Sequence, residues 1–292
     1  MRRPKEKLIE KLLAMSGWLT ILTTLGILVI LVYESVQFFA DVSVWEFLTG
    51  TEWTPLFSKK EFGILPLLTA TLLTSVIALL VALPIGLSIA IYLNEYANRK
   101  FRSTVKPMLE VLASVPTVVY GFFALTIITP FLQSFIPGLA GFNSISPGIV
   151  MGIMIIPMIS SLSEDALFAV PKSLRDASYG MGATRFQTVF RVLIPSASSG
   201  IIVSIILAIS RAIGETMIVA IAAGQQPNFT FNPLVPVETI TTYIVQVSLG
   251  DVPRDSIEYR TIFAAGMVLF IITFVMNNVS LWLKRKYHRQ YE

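Results

Sequence analysis

The chain has 292 residues, of which 54% are hydrophobic and 14% charged, and it carries a formal net charge of +4. Its mean hydropathy of +0.73 lies well above that of soluble globular domains. The absence of cysteine and the presence of a single histidine exclude a disulfide framework, a thiol nucleophile and a histidine metal cluster. The composition predicts a multi-pass membrane protein that holds no cofactor of its own.

Long apolar stretches predict six membrane-spanning helices, because a bilayer span needs only about 20 apolar residues. The first stretch, at about 12–33, follows a basic start and is interpreted as a retained anchor. Five further spans are expected at about 64–93, 107–132, 146–166, 198–223 and 261–283. The predicted fold class is therefore an all-α membrane protein.

Two residue types within these stretches carry local predictions. Prolines inside apolar spans predict kinks in the helices, and they are Pro84, Pro116, Pro130 and Pro157. Tryptophans near span ends are expected at the membrane interfaces, and they are Trp18, Trp45, Trp53 and Trp282.

The distribution of lysine and arginine predicts the orientation in the membrane. The proposed outer segments carry only Lys59, Lys60, Arg254 and Arg260, and nearly all other basic residues lie on the opposite side. Because cytoplasmic loops are enriched in Lys and Arg, both termini are expected to be cytoplasmic. This asymmetry explains the net positive charge, and no nucleic-acid partner is expected.

A polar insert at about 171–195 separates two apolar spans. Pro171 suits the first turn of a helix, and Gly182 permits a bend. A second amphipathic turn follows, which Pro195 is expected to end before the next span. Periodicity alone leaves two interpretations open, an interfacial helix pair that closes a loop and a docking surface for a partner.

The segment SRAIGETM, residues 210–217, brings charges into an apolar span. Arg211 and Glu215 are four residues apart, so they are expected on one helical face, where each neutralises the other. Gly214 beside them is expected to let a helix or a ligand approach closely. The pair either braces the bundle or lines a substrate path, and the path is favoured because charges at membrane depth are costly. A guanidinium suits oxyanions.

No G-x-x-x-x-G-K-[ST] sequence occurs in the chain, so any ATP hydrolysis is expected in another polypeptide. The chain is accordingly predicted not to be an enzyme. The core offers no buried histidine or cysteine for a membrane-embedded catalytic site.

The polar insert resembles the EAA motif of ABC importer permeases. The resemblance rests on an ordered set of residues, which are Asp176, Ala177, Ser178, Gly182, Val192, Ile194 and Pro195. In this chain Asp replaces the usual Glu and Ser replaces the second Ala. EFGILP before the second span and RAIGETM in the fifth add a closer similarity to the PstC type of the phosphate-specific transport (Pst) permease family, from about residue 62 onward.

This resemblance implies a type I ABC importer (MetI-like) fold with a cytoplasmic coupling helix. It implies a heterodimer with a PstA-type permease, two PstB-type ATPases that bind ATP and magnesium, and a PstS-type phosphate-binding protein. The family's arginine and glutamate in the membrane match Arg211 and Glu215, and its coupling motif matches Asp176 to Gly182. Phosphate would cross the inner membrane by alternating access.

The domain division expected from this comparison has three parts. Residues 1–61 form the tail, first span and outer loop; residues 62–283 form the transporter core; and residues 284–292 form a basic tail. Two alternatives stay open. Another oxyanion such as sulfate or molybdate would suit the same arginine, and an ATP-independent secondary transporter or channel would also explain the spans.

Overall fold

The computed structural model describes residues 4–288, with side chains for residues 9–283. This part of the chain is helical and contains no β-sheet, only two isolated bridges. The helices are α1 Pro4–Asp41, α2 Val44–Thr49, α3 Leu65–Ile91, α4 Arg99–Ser114, α5 Thr117–Phe123, α6 Thr129–Gln133, α7 Ile145–Phe168, α8 Lys172–Gly180, α9 Arg185–Thr188, α10 Ile194–Ile213, α11 Met217–Ala222, α12 Ile240–Leu249 and α13 Ile257–His288.

Five helical stretches in the described chain are long and apolar enough to cross a membrane. They are Ile9–Asp41, Leu65–Tyr96, Ile145–Phe168, Arg185–Ile213 and Ile257–Leu283. A sixth arises if α4 and the helix Thr117–Gln133 are counted as one span, although they are bent by 85°. Residues 289–292 of the expected basic tail lie outside the described residues.

The centre of the bundle is the contact between α3 and α7, which glycines bring close together. A Cβ atom at Gly86 would lie 2.9 Å from Ile159 Cγ2, and one at Gly152 would lie 2.8 Å from the main-chain oxygen of Ala78. Small residues allow helices to approach closely where lipid gives no hydrophobic drive for association. Next to this contact, α10 packs on α7, where Ser163 Oγ and Ser204 Oγ are 2.8 Å apart.

The first helix lies on the periphery and packs on α13. A Cβ atom at Gly266 would lie 3.3 Å from Leu31 Cδ1, while most of the apolar surface of α1 faces away from the protein. The end of α1 joins an aromatic cluster at the start of α3. Trp53 belongs to this cluster, with its ring 5.0 Å from that of Tyr243 and only 1% of its surface exposed. The expectation that Trp53 is an interfacial anchor is therefore wrong.

The prolines affect the helices in three ways. Pro84 and Pro157 lie inside continuous helices, whereas Pro116 follows the 85° bend. Val115 is extended at the bend, with ψ 131, as expected before a proline. The helices in the region of the expected span 107–132 begin earlier, at Arg99, and form two arms that run in different directions.

Pro130 and Pro195 each follow a π-helical turn. The expectation that Pro195 ends the helix is wrong. The N–H group of Ile194 bonds to the oxygen of Val189, five residues back. A proline lacks an N–H group and clashes with the preceding turn of an α-helix, and a wider turn removes the conflict. The helix that begins at Arg185 therefore continues through Pro195 into α10 as one stretch.

Candidate functional site

The helix of the expected span 198–223 is interrupted beside the predicted charge pair. α10 ends at Ile213, residues 214–216 are not helical, and α11 begins at Met217. The carboxylate of Glu215 accepts a hydrogen bond from the Met217 N–H at 3.2 Å, and Thr241 Oγ1 donates to the Glu215 main-chain oxygen at 2.8 Å. These contacts stabilise the break, because main-chain groups at membrane depth need partners within the protein.

Arg211, in the last turn of α10, pairs with Glu215, which lies within the break, and the two side chains differ in environment. Arg211 Nη1 lies 3.6 Å from Glu215 Oε2, which is an ion pair longer than a hydrogen bond. The Glu215 side chain is 3% exposed and the Arg211 side chain 50% exposed. Within the described chain the guanidinium makes no hydrogen bond, so its donors face an open surface. The arrangement fixes a negative charge in the protein and presents a positive one outward.

Gly214 keeps the surface beside Arg211 open. It is exposed, and a Cβ atom here would meet only main-chain oxygens of the preceding turn, at 3.6 Å from Ser210 and 3.9 Å from Arg211. The close approach expected at this glycine is not made by any described part of this chain. A neighbouring helix or a ligand from outside the chain could reach the guanidinium here.

A second buried carboxyl group stands three residues before Thr241, and no sequence pattern selects it. Glu238 stands in the connection between α11 and α12, outside the candidate spans, and is 2% exposed. Its Oε1 is buried and has no hydrogen-bond partner within the described residues. Burial raises the pKa of the Glu238 carboxyl to about 8. The neutral acid is therefore its favoured form near neutral pH.

The predicted coupling segment is a short helix followed by a sharp turn. Asp176 and Ala177 lie on the exposed side of α8, and Ser178 Oγ lies 2.9 Å from Thr188 Oγ1 at the end of α9. Gly182 has φ +81, a conformation that glycine adopts without strain. The helix–glycine–helix arrangement expected for this segment is present.

The last three residues of the motif belong to the helix that leads into α10. Val192 and Ile194 are half-buried, and Pro195 is exposed in the first turn of α10. They therefore connect the exposed segment to the span that ends at Arg211. A large apolar surface remains uncovered around α8 and α9, where Met181 is 90% and Phe186 64% exposed. Such a surface is typical of a site that contacts another protein.

Comparison with known proteins identifies the family. The model of the family described as binding-protein-dependent transport system inner membrane component matches residues 82–289, more than half of the chain. The chain belongs to this family. The permease is thus a membrane subunit of an ABC importer, a transport component that is not itself an enzyme. Its family works with an ATPase and a binding protein.

Named relatives and solved structures agree with this assignment. The chain is 35% identical to the probable ABC transporter permease protein YqgH of Bacillus subtilis, over 80% of this chain and 75% of that protein. It is 32% identical to the phosphate transport system permease protein PstC of Mesorhizobium japonicum, over 82% of this chain and 78% of that protein. In fold it is similar to a chain of a bacterial alginate ABC transporter, with a TM-score of 0.59 at 18% identity, over 99% of this chain and 98% of that chain.

A second structural neighbour is a chain of the MetNI methionine ABC transporter in an inward-facing conformation. Its TM-score is 0.55 at 20% identity, over 77% of this chain and 94% of that chain. The expected MetI-like importer permease fold is thereby confirmed.

Proposed function

We propose that this permease is the PstC-type subunit of an importer that carries inorganic phosphate across the cytoplasmic membrane. The observation that carries the proposal is the half-exposed guanidinium of Arg211, held at a helix break beside the buried carboxylate of Glu215. A guanidinium presents a planar set of donors that matches the oxygens of phosphate. The PstC proteins among its relatives support phosphate as the substrate.

The transport path would pass the open surface at Gly214. Phosphate would make a transient contact with Arg211, while Glu215 offsets part of the positive charge and prevents tight binding. A transporter needs a site of this kind, because an ion that binds too strongly is not released. The chemistry in this chain is limited to binding and release, since no covalent step is required.

The energy for transport would come from partner subunits. The permease would pair with a PstA-type permease, two PstB-type ATPases and a PstS-type phosphate-binding protein, with ATP and magnesium bound by the ATPases. The exposed segment with Asp176, Ala177 and Gly182 would contact an ATPase, and closure of the ATPases would drive alternating access. Both termini would lie in the cytoplasm, as the distribution of basic residues indicates.

Another tetrahedral oxyanion is the alternative substrate, because an arginine binds sulfate or molybdate by the same donors. The test uses the whole complex in proteoliposomes and measures ATP-dependent uptake of labelled phosphate with excess sulfate or molybdate as competitor. Uptake that resists both competitors and requires ATP supports the proposal. Uptake of labelled sulfate or molybdate in preference to phosphate contradicts the substrate assignment, and uptake without ATP contradicts the coupling to an ATPase.

A further inference from the structure

One side chain of α8 reaches away from the exposed segment and enters the helix bundle. Arg175 Nη2 donates to Asn94 Oδ1 at 2.8 Å and to the main-chain oxygen of Leu167 at 3.0 Å. The same nitrogen lies 3.1 Å from Glu95 Oε1. Three parts of the protein therefore meet at one guanidinium: α8, the π turn Tyr92–Tyr96 that ends the α3 span, and the last turn of α7.

The environment of this contact makes it a stiff connection. The Glu95 side chain is 6% exposed and that of Arg175 20% exposed, so water screens the pair weakly. By contrast, α8 has no buried residue, and its other packing is against α9 and the π turn Val189–Leu193. Arg175 thus gives α8 a direct polar link to α3 and α7, in addition to the link through the chain itself.

The polar contacts continue from this point to a fourth helix. Asn94 Nδ2 donates to the main-chain oxygen of Glu164 at 3.4 Å. The Glu164 side chain is fully buried and pairs with Arg102 at 2.5 Å and with Lys106 at 2.7 Å, both on α4. Sequence analysis did not select Glu164. Beside it, a cavity of about 210 Å³ lies between α4 and α7.

The helix that follows α4 leads to the helix break at 214–216. After the bend at Pro116, α5 packs against α11, where a Cβ atom at Gly121 would lie 2.8 Å from Ile221 Cδ1. α11 begins directly after residues 214–216. A contiguous set of ion pairs and packed helices therefore connects Arg175 with the surroundings of Arg211.

We infer that Arg175 is a positioning residue that transmits displacement of α8 to α3 and α7 through its contact with Glu95 and Asn94. This inference rests on the proposed function, in which α8 contacts an ATPase. When α8 moves, the partly buried guanidinium of Arg175 carries the ends of α3 and α7 with it, because separating it from Glu95 would leave the buried Glu95 charge without its partner. Without this link, ATP hydrolysis would proceed, but the helix bundle would not complete its movement in every cycle and less substrate would be transported per ATP.

The experiment measures substrate transported per ATP hydrolysed by the whole complex in proteoliposomes. The variants are Arg175→Gln, Glu95→Gln and the double variant, with Arg99→Gln as the matched control. Arg99 is an exposed arginine at the start of α4, outside the segment proposed to contact the ATPase, and it makes no ion pair with the described residues. We expect each single variant to lower the ratio of substrate transported to ATP hydrolysed by about fivefold or more. A change of this size corresponds to a typical coupling energy between two sites. The double variant should be no worse than the poorer single variant, and the control should be unchanged.

A purely structural role of Arg175 gives a different result. It would reduce the amount of assembled complex, with transport and hydrolysis falling together and their ratio unchanged, and this outcome overturns the inference. A native ratio in Glu95→Gln also overturns it, and this variant decides the matter if Arg175→Gln does not assemble. ATP-dependent uptake by the native complex is measured first, since its absence would contradict the proposed function rather than the role of Arg175.

Discussion

Thr241 on α12 donates a hydrogen bond through its hydroxyl to the main-chain oxygen of Glu215, at 2.8 Å. Both residues are buried, and the contact joins the helix break to α12, a helix that comes much later in the chain. The position of the Glu215 carboxylate, and hence the environment of Arg211, depends on this distant hydroxyl.

The first prediction concerns this hydrogen bond. Thr241→Val keeps the shape of the side chain but leaves the Glu215 oxygen without its partner, which costs about 1–3 kcal/mol for a buried group. We expect a lower unfolding temperature in detergent and slower uptake. Thr241→Ser retains the hydroxyl and should behave much more like the native protein. Equal stability of the valine and serine variants would contradict the role of the bond.

The second prediction separates binding from release at Arg211. In Glu215→Gln the guanidinium loses its negative partner, so the attraction for an anion increases. We expect phosphate to be held more tightly and released more slowly, which lowers both KM and the maximal uptake rate. Steady-state uptake over a range of concentrations of the loaded binding protein measures both quantities. A higher KM with an unchanged maximal rate would show that Glu215 does not weaken the contact with the anion.

The third prediction concerns the pH dependence of stability. Burial raises the pKa of Glu238 to about 8, so the folded protein holds a proton that the unfolded chain, with an ordinary pKa of 4.5, releases. The contribution of this proton to the free energy of unfolding is fully present below about pH 4.5. It falls as the pH rises from about 4.5 through about 8, by up to about 1.4 kcal/mol per pH unit. Tyr243 on α12 lies within electrostatic range of this carboxyl.

Thermal unfolding in detergent across this pH range checks the third prediction. Glu238→Gln mimics the neutral acid and should remove this part of the pH dependence. Glu52→Gln, which changes an exposed glutamate in the loop between α2 and α3, serves as the control and should leave it unchanged. A native pH profile in Glu238→Gln would show that this carboxyl is not the group responsible.

The fourth prediction concerns the turn after α8. Gly182 has φ +81, and a side chain in this conformation costs about 1–2 kcal/mol. Gly182→Ala should therefore displace α8 relative to α9 and lower ATP-driven uptake. Gly180→Ala provides a matched control, because Gly180 ends α8 without a positive φ and has no atom within 4 Å of an added Cβ. Similar losses in both variants would contradict the importance of the turn.

The sequence was sufficient for features that depend on local pattern. Long apolar stretches predicted helices that are long and apolar enough to cross a membrane, and the spacing of polar and small residues around Gly182 predicted α8 and its turn. Features set by contacts between distant segments were not predictable. Glu164 lies near the end of an apolar span, where a solvated carboxylate is the usual case, yet it is buried because Arg102 and Lys106 on α4 reach it. No pattern near residue 164 indicates partners that lie so far away in the chain.

The charge pair illustrates the same limit. The four-residue spacing of Arg211 and Glu215 predicted their proximity, but it also implied an unbroken helix. The break at 214–216 is possible because Met217 N–H and Thr241 supply hydrogen bonds to Glu215. Pro195 was expected to end a helix, and the π turn before it allows the helix to continue. Main-chain hydrogen bonding decided both outcomes, and hydropathy contains no information about it.

The most direct test of the account measures phosphate uptake by the complete complex with native Arg211, with Arg211→Gln, and with Arg99→Gln as control. Arg99 is exposed at the start of α4 and makes no ion pair with the described residues. Hydrolysis of ATP is followed in the same proteoliposomes to show that each complex is assembled. The account predicts that Arg211→Gln lowers uptake by about tenfold or more, as expected for loss of hydrogen bonds to a charged group, while the control transports normally. Native uptake by Arg211→Gln in an assembled complex would contradict the assignment of this arginine to the phosphate path.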